Sequence, residues 1–580
     1  MTRLAPPFRL VVLSGWDSPS TLQAITRLLT VPGVEIAGVV YDRGAYTLKT
    51  RLRRFWRRGR RDGVAYLLGR LIARACRLWF PAGSRRFDPR PIRQAIFPSE
   101  VRALTDLATR HHIPYRAVDS LNSSEAQRHI TSLHADLGVV IGTRILTRGT
   151  FTLPRLGSIN IHKGQVPQYR GQPPAFWELY NGETEAGATV HLVAEKLDAG
   201  DIVTEASVPI EATETEHSLK LKLDHLAADL LAEAVQALAG GEARPRPQRP
   251  SALPVYTVPT HAQRAALSRR LGTLPESSLR RTVKAVFYRI CLSGGPMWLR
   301  NTWLRFCRRT RCTVLLYHRV NDVSVDNVTT SIDRFIEHMA MLKRRYAVLS
   351  LSEAVSRLNT GRYLGPHVVV VTFDDGYADN YEAAAPILEH FGIPATFFVT
   401  AGLVGTSGRF AHDQRSPHRF TNLSWDQVRS LAARGFEIGS HGMTHANLGR
   451  APLSAARGEV RDSREALERL LTAPVRSFAY PFGGREDITP AVLEEIRAAG
   501  FTLIASACGG ANVGRIDPND VRRVGVSNAF DVLALRALIE GVGVQGIRQR
   551  IRAFWGLSDP SRRRPGREPV SVAGKKQESA

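Results

Sequence analysis

A CxxC pair is missing from this 580-residue chain. Its five cysteines, Cys76, Cys291, Cys307, Cys312 and Cys508, are scattered and odd in number, and none forms a CxxC. That argues against a disulfide framework or a thiolate zinc site and suits a reducing compartment. Also missing is any run of roughly 20 uncharged apolar residues, the length a spanning helix needs. The start, MTRLAPPFRLVVLSG, has no apolar stretch long enough for a signal peptide and reads as a first strand. The turn that follows, LSGWDSPS, lacks G-x-G-x-x-G, which argues against a nicotinamide dinucleotide. There is no internal repeat. No histidine follows His445.

What is present is ordinary in composition but not in charge. Hydrophobic residues make up 43% and charged residues 23%, enough for sizeable cores, while the length calls for two or three domains. The net charge of +26 favours anionic partners such as nucleic acid, acidic lipid or phosphorylated substrates, unless it is only a solvated surface. Residues 8–42 alternate strand, helix and strand, opening a doubly wound α/β domain. Residues 46–95 interrupt it with a basic insertion, and the pattern resumes from 101 to a helix at about 216–239 that ends at Gly240 and Gly241. A Pro-, Arg- and Gly-rich stretch, a linker or an irregular wrap by composition, begins a basic connector over 241–311. From Cys312 a second strand-helix series starts, indicating a mostly parallel sheet, closed or open, over 312–550. The tail 551–580 is polar and Pro-rich, as disordered segments are.

In the second series, HVVVVTFDDG ends an apolar strand with Asp374 and Asp375. Side chains alternate along a strand, but at its C-terminal end both carboxylates can turn into the pocket where parallel α/β folds collect their chemistry. Taken alone the pair also suits an Asx-turn. FEIGSHGMTH ends another strand with His441 and His445. Two imidazoles and one carboxylate suit zinc or a similar divalent ion with room for water, leaving the second carboxylate as a base.

TFDDG with HGMTH resembles the polysaccharide deacetylase (NodB-homology) family over about 312–525. The resemblance implies a distorted (β/α) barrel, Asp374 as catalytic base, and Asp375, His441 and His445 as metal ligands. SFAYPFGG resembles the third family motif, which shapes the substrate groove through Tyr480, Pro481 and Phe482. Ala479 stands where many members carry an arginine. The family's late general-acid histidine has no counterpart after His445, and His318, ending the strand TVLLYH, is the candidate replacement. In a closed barrel first and last strands are neighbours, so His318 can reach the same pocket. The alternative is a strand-end histidine bonded to a loop.

In the first series, GSINIH puts Asn160 and His162 on one side of a strand, and Asp198 sits in the Gly-flanked turn KLDAGD. An amide donor, an imidazole and a carboxylate can stabilise an oxyanion, move a proton and set the imidazole's charge. N-x-H, the YRG of Tyr169, Arg170 and Gly171, the G-x-T-V-H at 187–191 and the L-D-A-G at 197–200 resemble the folate-dependent formyltransferases over about 8–235. That family includes methionyl-tRNA, glycinamide ribonucleotide and amino-sugar formyltransferases. The resemblance implies a Rossmann-like fold and formyl transfer from formyl-tetrahydrofolate to an amine by Asn160, His162 and Asp198. His162-Lys163-Gly164 replaces the commoner H-x-S-L-L, so the substrate loop differs. His191 reads as structural.

Residues 49–62 hold eight Lys or Arg around Phe55 and Trp56, followed by YLLGRLIARACRLWF. This suits an in-plane anchor on an anionic membrane, a tRNA contact or a solvated insertion, and the basic, Trp-containing 280–311 adds weight to an anionic surface. Together the chain reads as a bifunctional cytoplasmic enzyme acting on an amino sugar, with attachment to the inner face of the membrane and a nucleotide- or lipid-linked sugar as options that its charge leaves open. Two alternatives stand: a methionyl-tRNA formyltransferase with a fused deacetylase, and a membrane-recruited scaffold with partly decayed sites.

Overall fold

The computed structural model describes residues 6–44 and 87–542, apart from 99, 102, 172, 212–213, 250–254, 272–277, 294, 324–325, 415 and 417. The expectations for the heart of the basic insertion and for the tail fall outside the described residues. These residues form two compact units, one built mainly before 281 and the other mainly after 282. Among the described residues no helix is long and apolar enough to cross a membrane.

The first unit is a seven-stranded sheet in the order β3-β2-β1-β4-β5-β6-β7. Its strands are β1 (Phe8–Ser14), β2 (Val34–Asp42), β3 (Tyr115–Val118), β4 (Leu137–Ile141), β5 (Ser158–His162), β6 (Glu185–Leu192) and β7 (Ile202–Pro209). β1 to β5 are parallel; β6 is antiparallel to β5, and β7 to β6. The central strands β1 and β4 are apolar along almost their whole length because helices cover both faces of a parallel sheet. On one face Leu22, Ile25 and Leu28 of helix Pro19–Leu28 meet Leu230, Leu231 and Val235 of helix Glu216–Ala239. Ala126, Ile130, Leu146 and Phe151 cover the other. Ser18 caps the first of these helices and Pro19 opens it, the residue types whose geometry starts a helix at least cost.

The second unit contains β8 (Arg311–Tyr317), a short pair β9 (Arg319–Val320) and β10 (Thr329–Thr330), β11 (Ala347–Leu349), β12 (His367–Phe373), β13 (Ala395–Val399), β14 (Glu437–Ser440), β15 (Ser477–Ala479), β16 (Leu503–Ser506), β17 (Asn512–Val513) and β18 (Val521–Gly525). β12, β13, β14, β15, β16, β18 and β8 pair in turn, all parallel, and β8 returns to β12. The sheet is therefore a closed seven-stranded barrel, with β11 and β17 added at its side. Closure puts the C-terminal ends of β8, β12 and β14 around one mouth.

Candidate active sites

At the barrel mouth the β12 ladder runs one residue past the strand, with the Asp374 amide donating to the Tyr317 carbonyl (3.0 Å). The chain then turns sharply through two left-handed residues, Asp375 at φ +75° and Gly376 at φ +89°. An aspartate held in that region is strained, and strain of this kind gathers at functional sites. It lets two consecutive carboxylates, both buried, face one pocket.

The sequence places His441 and His445 at the end of β14, and the structure brings both onto Asp375. Asp375 Oδ1 lies 3.2 Å from His445 Nε2 and 3.5 Å from His441 Nε2. The ligand atoms of all three residues fall within 4.8 Å of one another. Two donors at zinc-ligand distance from one tetrahedral centre stand about 3.4 Å apart, so this spacing fits a divalent ion. His441 Nδ1 lies 2.9 Å from the Ala479 carbonyl, to which only an N–H can bond, and this leaves Nε2 as the ligating lone pair. The Glu459 carboxylate accepts the Met443 and Thr444 amides (2.8 Å each) and the Thr444 hydroxyl (2.6 Å), pinning the loop that carries His445 at φ +64°.

Electrostatics separate the two imidazoles. Burial, together with His445 and Arg523, drives His441 down to about 4 against the pull of both aspartates. Burial also acts to lower His445, but its bond to Asp375 and the charges of Asp375 and Asp374 outweigh it and raise the pKa. Burial works to raise Asp375, yet the His445 bond and the charges of His318, His445 and His441 hold its carboxyl well below the usual carboxylate range.

Asp374 is clamped by Arg523, a residue no motif pointed to. The guanidinium is fully buried and donates through Nη1 and Nη2 to the two carboxylate oxygens (2.5 and 2.8 Å). It lies 5.0 Å over the Phe398 ring. Arg523 comes from β18, next to β8, so its guanidinium crosses the barrel interior to reach Asp374. Ala479 offers no cation here, and the one bonded to Asp374 is Arg523, from another strand. His318 follows β8, whose Tyr317 pairs with Phe373, and so sits beside Asp374 in register. Of the third motif, Phe482 is 55% exposed with its ring 5.0 Å from His445, whereas Pro481 and Tyr480 are buried. The Tyr480 amide bonds the Ala505 carbonyl (3.2 Å). The groove lip is therefore Phe482, and Tyr480 packs beneath it.

In the first unit Asn160, His162 and Asp198 line one cleft of about 360 Å³ together with Gly171, His191 and Tyr256. His162 Nδ1 stands 3.5 Å from Asp198 Oδ2, and its Nε2 2.7 Å from the Tyr169 carbonyl. Both ring nitrogens thus face acceptors, an arrangement that suits the protonated ring. Burial opposes it and, despite Asp198, leaves the His162 pKa lowered. Asp198, at φ +48°, also accepts the Gly171 amide (3.2 Å). His191 stands between the other members, with Nε2 3.2 Å from Asn160 Nδ2 and 3.7 Å from Asp198 Oδ1.

The YRG segment serves mainly as scaffold. Tyr169 stacks on Tyr256 (5.3 Å) and donates its hydroxyl to Glu183 (2.6 Å). Gly171 lies so close to Tyr256 that an added Cβ would stand 2.1 Å from its carbonyl oxygen. The Tyr256 amide bonds the carbonyl of Arg170 (2.8 Å). The stretch expected as a connector thus folds back onto this site. Gln248 Nε2 donates to the Asp198 and Gly200 carbonyls (3.0 and 2.7 Å), holding the turn that presents the carboxylate.

The two folds fall into two enzyme classes, a hydrolase barrel and a transferase domain. Comparison with known proteins agrees. Residues 361–504 match the family model of polysaccharide deacetylase, and residues 92–235 that of formyl transferase. The chain is a fusion of a formyltransferase domain with a polysaccharide deacetylase domain. The first match covers Asp374, Asp375, His441 and His445 but neither His318 nor Arg523. The second covers Asn160, His162 and Asp198.

Methionyl-tRNA formyltransferases are among the curated relatives. That of Bacteroides fragilis is 32% identical over 146 residues, 25% of this chain and 45% of the relative. That of Citrifermentans bemidjiense is 36% identical over 156 residues, 27% and 48%. The chain thus spans under half the length of these relatives. Among solved structures, IcaB from Ammonifex degensii is 27% identical, with 40% of this chain and 97% of that one covered at a TM-score of 0.35. The phosphoribosylglycinamide formyltransferase of Coxiella burnetii is 21% identical, with 40% and 88% covered at 0.28.

Proposed function

We propose that the chain is a bifunctional enzyme of amino-sugar metabolism, hydrolysing an N-acyl amide in its barrel and formylating an amine in its first domain. The observation that carries the hydrolase reading is the convergence of Asp375, His441 and His445 at metal-ligand spacing beside a clamped Asp374. A divalent ion held by those three would polarise the acyl oxygen and acidify a water molecule. Asp374, fixed in orientation by Arg523, takes the proton from that water as its oxygen bonds the acyl carbon. His318, on the neighbouring strand, gives a proton to the nitrogen as the C–N bond breaks. Carboxylate and free amine leave.

In the first domain the substrate amine attacks the formyl carbon of formyl-tetrahydrofolate. The Asn160 amide faces the oxygen that gains charge, and His162, paired with Asp198, carries the proton from amine to the departing folate nitrogen. Use of a folate supports a cytoplasmic location and an intracellular biosynthetic intermediate as substrate. The deacetylase match supports a carbohydrate, and the positive charge supports a phosphate-bearing nucleotide- or lipid-linked one. Mass spectrometry of such sugars in a deletion strain tests this: accumulation of an N-acyl species with loss of an N-formyl species is expected, and an unchanged profile would contradict it. The names of the curated relatives favour a second reading, formylation of initiator methionyl-tRNA. An in vitro assay on charged initiator tRNA separates the two.

A further inference from the structure

Between residues 277 and 311 the chain holds nine Lys or Arg and no Asp or Glu. Within it, helix Gly295–Phe306 is apolar on two opposite faces. One face is spent on the barrel unit. Met297 is buried in a cluster with Tyr288, Leu292, Ala537 and Val542, and Leu304 is buried as well. On that side Arg300 bonds the Glu540 carbonyl and Asn301 Oδ1 stands 2.9 Å from His367 Nε2. These contacts fix how the helix is rotated. Residues at i and i+4 share a face, so Trp298, Leu299, Trp303 and Phe306 must then point the other way. They do, at 65%, 61%, 52% and 86% exposure. Arg305, Arg308 and Arg309, all exposed, flank this patch.

Four large apolar side chains exposed on the outward half of one short helix, two of them tryptophan, are not what a solvated helix presents. The same helix is far too short to span a bilayer. Tryptophan settles at the headgroup layer, where an apolar ring and a polar N–H are both satisfied, and flanking arginines answer the negative surface of acidic lipid. We propose that this face seats the chain in the plane of an anionic lipid bilayer, with the barrel docked through helix Gly295–Phe306. Two features favour lipid over RNA: Leu299 interrupts the aromatics, and the patch stands out on a helix rather than lining a basic groove for stacked bases.

The test is co-sedimentation of the full chain with vesicles of phosphatidylcholine alone and of phosphatidylcholine mixed equally with phosphatidylglycerol. Recovery with the mixed vesicles, little with the neutral ones and weakening with added salt are expected. The double variant Trp298→Ser/Trp303→Ser should partition at least about tenfold less, with its thermal melt and amide hydrolysis unchanged. Arg305→Gln/Arg309→Gln should mainly lower the salt-sensitive part. Equal recovery with both vesicles, or a double variant that binds as wild type does, overturns the proposal. So does a dimer, or tRNA binding, that the double variant abolishes while vesicle binding persists.

Discussion

The most informative single residue in the barrel is Arg523, because it acts on the proposed base without touching the metal ligands. Fully buried, it makes two bonds to an equally buried Asp374, and removing one partner of such a pair strands the other's charge. Arg523→Met should cost about 3–5 kcal/mol of stability and lower kcat for amide hydrolysis, leaving formyl transfer intact. Melting curves and the two assays run side by side check this. His318→Ala should lower kcat at least about tenfold with little change in KM, as expected when a general acid is lost. A kcat within a few fold of wild type would remove His318 from the mechanism. The four motif residues were legible because TFDDG and HGMTH place their chemistry at strand ends. Arg523 was not, since an arginine in a strand carries no signal until the barrel closes and carries it across to β12.

At the scale of elements, the two strand series were readable from apolar runs punctuated by Gly and Asp, and helix Glu216–Ala239 falls where its pattern put it. The stretch after it was only half readable. Its Pro- and Arg-rich composition suits a linker or an irregular wrap, and it is the wrap that forms: Gln248 and Tyr256 bind the formyltransferase site through backbone carbonyls, contacts that leave no mark in a hydrophobic pattern. Gln248→Ala should therefore lower formyl transfer at least about tenfold while hydrolysis is unaffected, because small displacements of a catalytic group are costly. Gly171→Ala should do more damage, having no room for its methyl group against Tyr256 and a φ of +99°. Formyl transfer that survives Gly171→Ala would mean that Tyr256 does not need to dock.

For the whole molecule, acid sensitivity follows from buried histidines outside the metal site. Burial lowers His338 from 6.5 to about 3 and His367 from 6.5 to about 4. Between those values and 6.5 the unfolded chain binds protons that the folded chain refuses, so stability falls as pH falls. The melting temperature should drop steadily from pH 6.5 to about 4, and a flat profile would contradict this assignment.

Metal-dependent amide hydrolysis in the barrel, as proposed, is read out by amine release from an N-acetylated amino sugar. The assay uses the full chain after chelation, after zinc is restored, and with Asp375→Asn. Release should be lost on chelation, recovered with zinc and absent in Asp375→Asn at any zinc concentration. Release that is indifferent to chelation, or that survives Asp375→Asn, would contradict the proposal.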